Sequence, residues 1–388
     1  MATKILETST DGKINASAFN EVAFDHLLRV IEARRDEFDA KSHVPRDVVQ
    51  LMKAAGLYRA ATPACFGGAG VPPHVFLERI ERIARVDGSA SWVAGFGSAN
   101  TYYAALPYET QRHIYASSPD QVFAGGLYPA VPAKRVDGGW RVSGRWRFAS
   151  GCMGADWVAI GLADEGTGLV RMAVSPAAEV KIIPNWDMVG MQGTGSYDTE
   201  LTDHFIAEDW TCLRGTQPIF DDPLYRYPLL AYQAQVHAAS NLGLARAAIE
   251  VAAEMSGGKK LMPGAAKLAD RAYFRTGLAR AEAMLQSCRL YYYDAAEQAW
   301  DVILRGDELS TPQRNALRLS ATHAAHTAAE VIQLLYRIAG MAAAARSNRL
   351  QQLLRDSLVV TQHASLSEAT LELSGGALAG VELSPGFL

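Results

Sequence analysis

The hydrophobic period of the chain changes twice, and this limits the folds open to it. Up to about residue 121, apolar side chains recur every three to four residues, as on amphipathic helices. From Val122 to about Asp209 the recurrence drops to two, with dense glycine and proline, as in strands and turns. From Leu229 the helical period returns in long, alanine-rich stretches. The expectation is a mainly α chain with a small central β domain. An N-terminal helical domain would cover 1–121, the β domain 122–225, and a C-terminal four-helix bundle 226–388. Alanine-rich faces permit close helix approach, which suits a bundle. A chain of 388 residues is long enough for two or three such parts.

Local signals place the elements. Phe24 to Phe38, Pro45 to Ala55 and Pro73 to Val86 read as helices, and Ser or Asp at 87–91 suits a cap for the next. Pro63 to Gly70 reads as a loop; its glycines match no phosphate-binding fingerprint. The stretch Gly138 to Gly151 reads as a hairpin. Asp137-Gly138-Gly139 makes the first turn and Ser143-Gly144 a second, with Trp140, Val142, Trp146 and Phe148 alternating around it. It delivers a hydroxyl, Ser150, and then Gly151. Trp157 to Leu162, Leu169 to Val174 and Val180 to Ile183 read as further strands. Gly190 to Ser196 holds three glycines and two hydroxyls within seven residues, which lets a backbone approach a flat or phosphorylated ligand. About 90 residues suffice for a small antiparallel barrel or sandwich. Long helices are expected over Leu229–Met255, Asp270–Arg305 and Thr311–Ala339, the last ended by Gly340.

Composition removes several function classes. The net charge of −4 leaves no basic footprint for nucleic acid. No run of 18 apolar residues predicts a membrane span. The first 20 residues lack the pattern of a signal peptide, so a cytoplasmic setting is expected. Cys65, Cys152, Cys212 and Cys288 are scattered without a CxxC pair, which fits a reducing compartment and gives no structural zinc. His323 and His326 stand one helical turn apart with no third ligand nearby, so no metal is expected.

Four places carry candidate chemistry. Trp92, Phe96 and Tyr103 are spaced at helical intervals or their multiples; they read as core packing or as an aromatic wall for a flat ligand. Ser150 ends the hairpin. Arg246 needs an anionic or π partner if it faces inward. His363, among small and apolar residues, reads as a satisfied side chain or as an acid–base group.

Taken together, the motifs resemble the acyl-CoA dehydrogenases. Within that fold they resemble the flavin-dependent monooxygenases that are oxygenase components of two-component systems, such as the 4-hydroxyphenylacetate 3-monooxygenase oxygenases. The carrying residues are Ser91-Trp92-Val93, Gly138 to Gly151, Gly190 to Ser196, Gly243-Leu244-Ala245-Arg246, and Arg355-Asp356 with His363. The dehydrogenases usually place a catalytic glutamate eight residues after the Arg-Asp pair. Here that position is Ala364, which cannot take a proton, and His363 precedes it. The resemblance therefore points to the monooxygenase branch. It implies reduced FMN or FAD delivered by a separate flavin reductase, O2 as cosubstrate, a C4a-hydroperoxyflavin, and hydroxylation of a small aromatic substrate. It implies flavin contacts from Trp92, Phe148, Ser150, Gly151, Arg246 and Gly340, with Ser150 at N5 and Arg246 offering charge. It implies substrate contacts from Trp92, Phe96, Tyr103 and His363, with His363 as base or hydrogen-bond partner at its ordinary pKa. A homotetramer or homodimer is expected. Asn100 stands near the place where some phenol hydroxylases of the branch carry a histidine, and Lys259-Lys260 would meet a pyrophosphate or solvent. The competing readings are an acyl-CoA dehydrogenase-like flavin oxidase or dehydrogenase with a displaced base, and a non-catalytic oligomeric scaffold.

Overall fold

A computed structural model describes residues 19–257 and 266–381. The Lys259-Lys260 expectation lies outside the described residues. The helices before the strands are α1 (Glu21–Lys41), α2 (Arg46–Ala54), α3 (Pro73–Val86), α4 (Gly88–Gly95), α5 (Asn100–Tyr103) and α6 (Tyr108–Ile114). Phe24, Leu27, Ile31 and Phe38 form the buried stripe of α1, and Asn20 caps it by accepting the Ala23 amide. Pro45 sits one residue outside α2, at its cap, where a missing N–H costs nothing. Helix α3 has the expected bounds. Asp87 starts α4 by accepting the Ala90 N–H at 2.7 Å.

The strands are β1 (Phe123–Val136), β2 (Gly139–Ala149), β3 (Trp157–Asp164), β4 (Val170–Pro176), β5 (Lys181–Ile183), β6 (Tyr197–Ala207) and β7 (Thr211–Leu213). They form one sheet in the order β5-β6-β2-β1-β3-β4-β7. The sheet is mixed, because β1 and β3 pair in parallel while the other neighbours are antiparallel. This corrects the expectation of an antiparallel β domain. Asp137-Gly138 makes the expected hairpin turn, with Val136 opposite Gly139 and Gly138 at φ 74°. The second turn at Ser143-Gly144 does not exist. There β2 runs on as one strand, with an irregularity against β6 between Val142 and Gly144. Gly144 serves close approach instead, since a Cβ there would lie 2.5 Å from Val131 Cγ1. Trp140, Val142 and Trp146 still share the core face with Ile160, Leu162, Leu201 and Ile206. The buried Trp146 indole donates to the Gly161 carbonyl at 2.9 Å.

Helix α7 (Pro223–Arg226) precedes α8 (Leu229–Ser256), α9 (Ala272–Leu304), α10 (Thr311–Ala339), α11 (Arg349–Thr361) and α12 (Glu368–Leu378). Helix α8 is buried on most of its circumference, as its apolar composition demands. Tyr292 of α9 donates its hydroxyl to the Gln235 carbonyl of α8, and Asn241 of α8 donates its amide to the Ala325 carbonyl of α10. Helix α10 packs on α9, α11 and α12. Its start carries a capping box: Ser310 Oγ accepts the Gln313 N–H, and Gln313 Oε1 accepts the Ser310 N–H. Ser310→Ala is expected to cost about 1 kcal/mol, read as a lower denaturant midpoint with an unchanged slope; an unchanged midpoint would show the box to be idle.

The chain divides into two compact units. Among the described residues, one comprises 19–72, 92–187 and 192–229; the other comprises 73–91, 188–191, 230–257 and 266–381. Thus α3, N-terminal in sequence, is grouped with the long helices, a different partition from the linear three-part division. Gly243 lets α8 approach α3, since a Cβ there would lie 2.3 Å from the Glu81 carbonyl oxygen. Among the described residues no helix is long and apolar enough to cross a membrane.

Candidate active site

In the first unit the site is built on the end of β2. Phe148, at φ 62°, has a left-handed backbone that is unusual for a bulky residue, and its ring is 57% exposed. Gly151 follows at φ 73°. Between these two reversals stands Ser150, buried to 6% exposure. Its N–H donates to the Phe148 carbonyl at 2.9 Å, and the Gly151 N–H donates to the Thr194 carbonyl at 2.8 Å. The glycine-rich loop is thereby pinned to the strand end. Ser150 Oγ shares a 2.6 Å hydrogen bond with Ser196 Oγ, which shares a 2.7 Å bond with Thr194 Oγ1. The Phe148 ring meets Trp186 edge-on at 6.2 Å.

The aromatic candidates separate. Trp92 and Phe96 are half-buried, and Gly151 faces Val93 and Phe96, so Phe96 and the strand end are neighbours. Tyr103 is a core residue. It is stacked on Phe123 with ring centroids 3.7 Å apart and is 3% exposed, so its ring offers no face to a substrate. This removes it from the expected aromatic wall. Asn100 is fully buried, donating its amide to the Tyr58 carbonyl and to Thr62 Oγ1, and ties α5 to the turn after α2 rather than facing a phenol.

In the second unit His363 caps the turn after α11. Its Nδ1 lies 2.7 Å from Ser365 Oγ and accepts the Ser365 N–H. That leaves the ring proton on Nε2. Its ring centroid is 4.2 Å from that of His237 on α8, a residue that the sequence reading missed. Burial and the charge of Arg318 on α10 push the His363 pKa down to about 4. Burial and His363 push His237 down as well. The expectation of an ordinary histidine pKa is therefore corrected: His363 is neutral at pH 7.

Arg246 forms a two-pronged ion pair with Glu282, at 2.8 and 2.9 Å. Its charge is balanced within the bundle, so a bare cation for reduced flavin is not what it presents. Gly340 ends α10 at φ 70° and is exposed, and a Cβ there would touch nothing within 4 Å; the backbone turn alone calls for glycine. The Arg355-Asp356 pair clamps a peptide. Asp356 Oδ1 accepts the Met191 N–H at 2.5 Å, and the Arg355 guanidinium donates to the Val189 carbonyl. His326 Nε2 bonds the Leu366 carbonyl, and among the described residues no group of three or more His, Cys, Asp or Glu is placed to hold a metal.

The residues at the β2 end fit a flavin's requirements. An exposed aromatic ring lies beside a buried hydroxyl that is held by further hydroxyls, so a flat ring can be covered and its polar edge bonded. Ser196 was visible in sequence only as one hydroxyl of a small-residue loop, and its partner lies 46 residues away. His237 and Arg318 gave no local signal.

The Acyl-CoA dehydrogenase, N-terminal domain family matches residues 15–115, and the Acyl-CoA dehydrogenase, C-terminal domain family matches residues 235–368. The chain is 43% identical over 371 residues to an indole-3-acetate monooxygenase of Pseudomonas putida, covering 94% of this chain and 95% of the relative. It is 38% identical over 373 residues to an indole-3-acetate monooxygenase of Acinetobacter baumannii, covering 95% and 96%. Among solved structures, the 3-HSA hydroxylase from Rhodococcus sp. RHA1 superposes with a TM-score of 0.88 at 23% identity, over 95% of this chain and 98% of that one.

Proposed function

The chain belongs to the flavin-dependent monooxygenases of the acyl-CoA dehydrogenase fold, and we propose that its aromatic substrate is indole-3-acetate or an indole of like size and charge. It is an oxygenase component that uses reduced flavin and O2, with the flavin supplied by a separate reductase. The observation that carries the substrate reading is the 43% identity along almost the entire chain.

The protein's own contribution follows from its residues. When bound, reduced flavin supplies the oxygen-activating chemistry. Ser150 bonds the polar edge of the ring near N5, Phe148 covers part of its face, and Gly151 lets the backbone come close. Trp92 and Phe96 wall the substrate and keep water out. His363 is a hydrogen-bond donor through Nε2. A group held near pKa 4 is a weak base. A phenol needs its proton removed to enrich the ring, whereas the nitrogen of an indole already does so. Indole chemistry therefore asks no base of His363. Arg246 acts through its pair with Glu282, steadying α8 against α9 and keeping the local charge near zero. We place the enzyme in the cytoplasm, as a homotetramer or homodimer.

The test mixes the full chain with anaerobically reduced FMN, or reduced FAD, and indole-3-acetate, then adds 18O2. One 18O atom in the indole product, identified by mass spectrometry, is the expected result; the better-coupled flavin is the native one. Hydroxylation of resorcinol with no oxygen entering the indole would overturn the substrate reading.

A further inference from the structure

We propose that Ser196 is a positioning residue for Ser150, and that the three hydroxyls of Ser150, Ser196 and Thr194 act as one unit at the flavin edge. The inference rests on the reading of Ser150 as the flavin N5 contact. The backbone around Ser150 has no spare donor, because its own N–H and that of Gly151 are both bonded within the turn and loop. Only the hydroxyl is left to meet a ligand. A serine hydroxyl turns freely among three rotamers, and an unheld one loses entropy on binding. Ser196 Oγ, at 2.6 Å, fixes it, and Thr194 Oγ1, at 2.7 Å, fixes Ser196 in turn.

Proton counting adds a second consequence. Three hydroxyls carry three protons, and two bonds join them. If Thr194 donates to Ser196 and Ser196 to Ser150, the Ser150 proton is left to point at the ligand. If each bond is reversed, Ser150 donates inward and presents a lone pair, and it is the Thr194 proton that turns away from the chain. Oxidised flavin has a bare N5 that accepts; reduced flavin has an N5–H that donates. The chain of hydroxyls can therefore bond either form by turning protons, with no heavy atom moving. A hydroxyl held by a single partner that could not turn with it could also rotate, but only by giving up that buried partner.

The test is a double-mutant cycle on the full chain: parent, Ser150→Ala, Ser196→Ala and the double variant. The readouts are the dissociation constant for anaerobically reduced FMN and FAD, the constant for the oxidised forms, and the fraction of consumed O2 released as H2O2. Ser196→Ala is expected to weaken reduced flavin about fivefold and to raise the H2O2 fraction, with no further loss when added to Ser150→Ala. Thr194→Val keeps the side-chain shape and should weaken binding about twofold, a second cut in the same chain if Ser196→Ala folds poorly. A Ser150→Ala effect without one from Ser196→Ala or Thr194→Val would overturn this inference alone. Full additivity in the double variant would also overturn it, since it would mean an independent packing defect. No effect of Ser150→Ala would overturn the reading of Ser150 itself.

Discussion

Acidification from pH 7 to pH 5 is expected to destabilise the fold by about 2 kcal/mol through His363 alone, and by about 3 kcal/mol at pH 4. In the folded chain this histidine titrates near 4, against 6.5 when unfolded. Between those values the unfolded chain binds the proton and the folded chain resists it. The stabilisation is complete above the unfolded pKa and is lost as pH falls towards the folded one. The causes are structural. Protonation would place a cation on a half-buried ring beside Arg318, with the His237 ring 4.2 Å away. His237 is shifted in the same direction and adds to the loss. The measurement is a set of urea midpoints at pH 7, 6, 5 and 4 for the parent and His363→Gln. The variant should show a shallower fall. Equal slopes for the two would refute the assignment. The same neutrality predicts that product formation shows no inflection near pH 6.5 that disappears in His363→Gln.

Gly190→Ala should cost about 3 kcal/mol, an unusually large penalty for adding one methyl group. The new Cβ would lie 2.5 Å from both the carbonyl carbon and the oxygen of Arg355, and 2.7 Å from the Asp356 nitrogen. These are backbone atoms inside α11 and cannot swing aside. The peptide 188–191 must withdraw instead. That breaks the buried Met191 N–H bond to Asp356 and the exposed Val189 carbonyl bond from Arg355, so one buried polar pair is lost as well. The effect is read from the denaturant midpoint. Asp356→Ala in the Gly190→Ala background should add less than it does alone, because both changes release the same peptide. A Gly190→Ala variant within about 0.5 kcal/mol of the parent would show that the clamp has slack.

The second prediction gives the Arg-Asp pair a meaning that its resemblance to the dehydrogenases did not. In sequence it served as a ruler, locating Ala364 and His363 by counting. In the structure it is a fastener for a loop 165 residues earlier.

Local sequence determined the elements and their order. The period of apolar residues set α1, α3 and α10 because one buried stripe every 3.6 residues is a property of the chain itself. Asp137-Gly138 set the β1–β2 turn because only a few residues accept its backbone angles. The same logic placed Ser150 at a strand end and Gly151 after it. It failed at Ser143-Gly144, where the glycine answers to Val131 on the neighbouring strand rather than to a turn. Tertiary structure alone decided what each candidate side chain touches. Tyr103 is packed against Phe123, Arg246 against Glu282, and Ser150 against Ser196. It alone decided the charge state of His363, because desolvation and the field of Arg318 come from helices far apart in the chain. Periodicity and turn chemistry are written within a few residues, whereas partners and pKa values depend on contacts made across the fold.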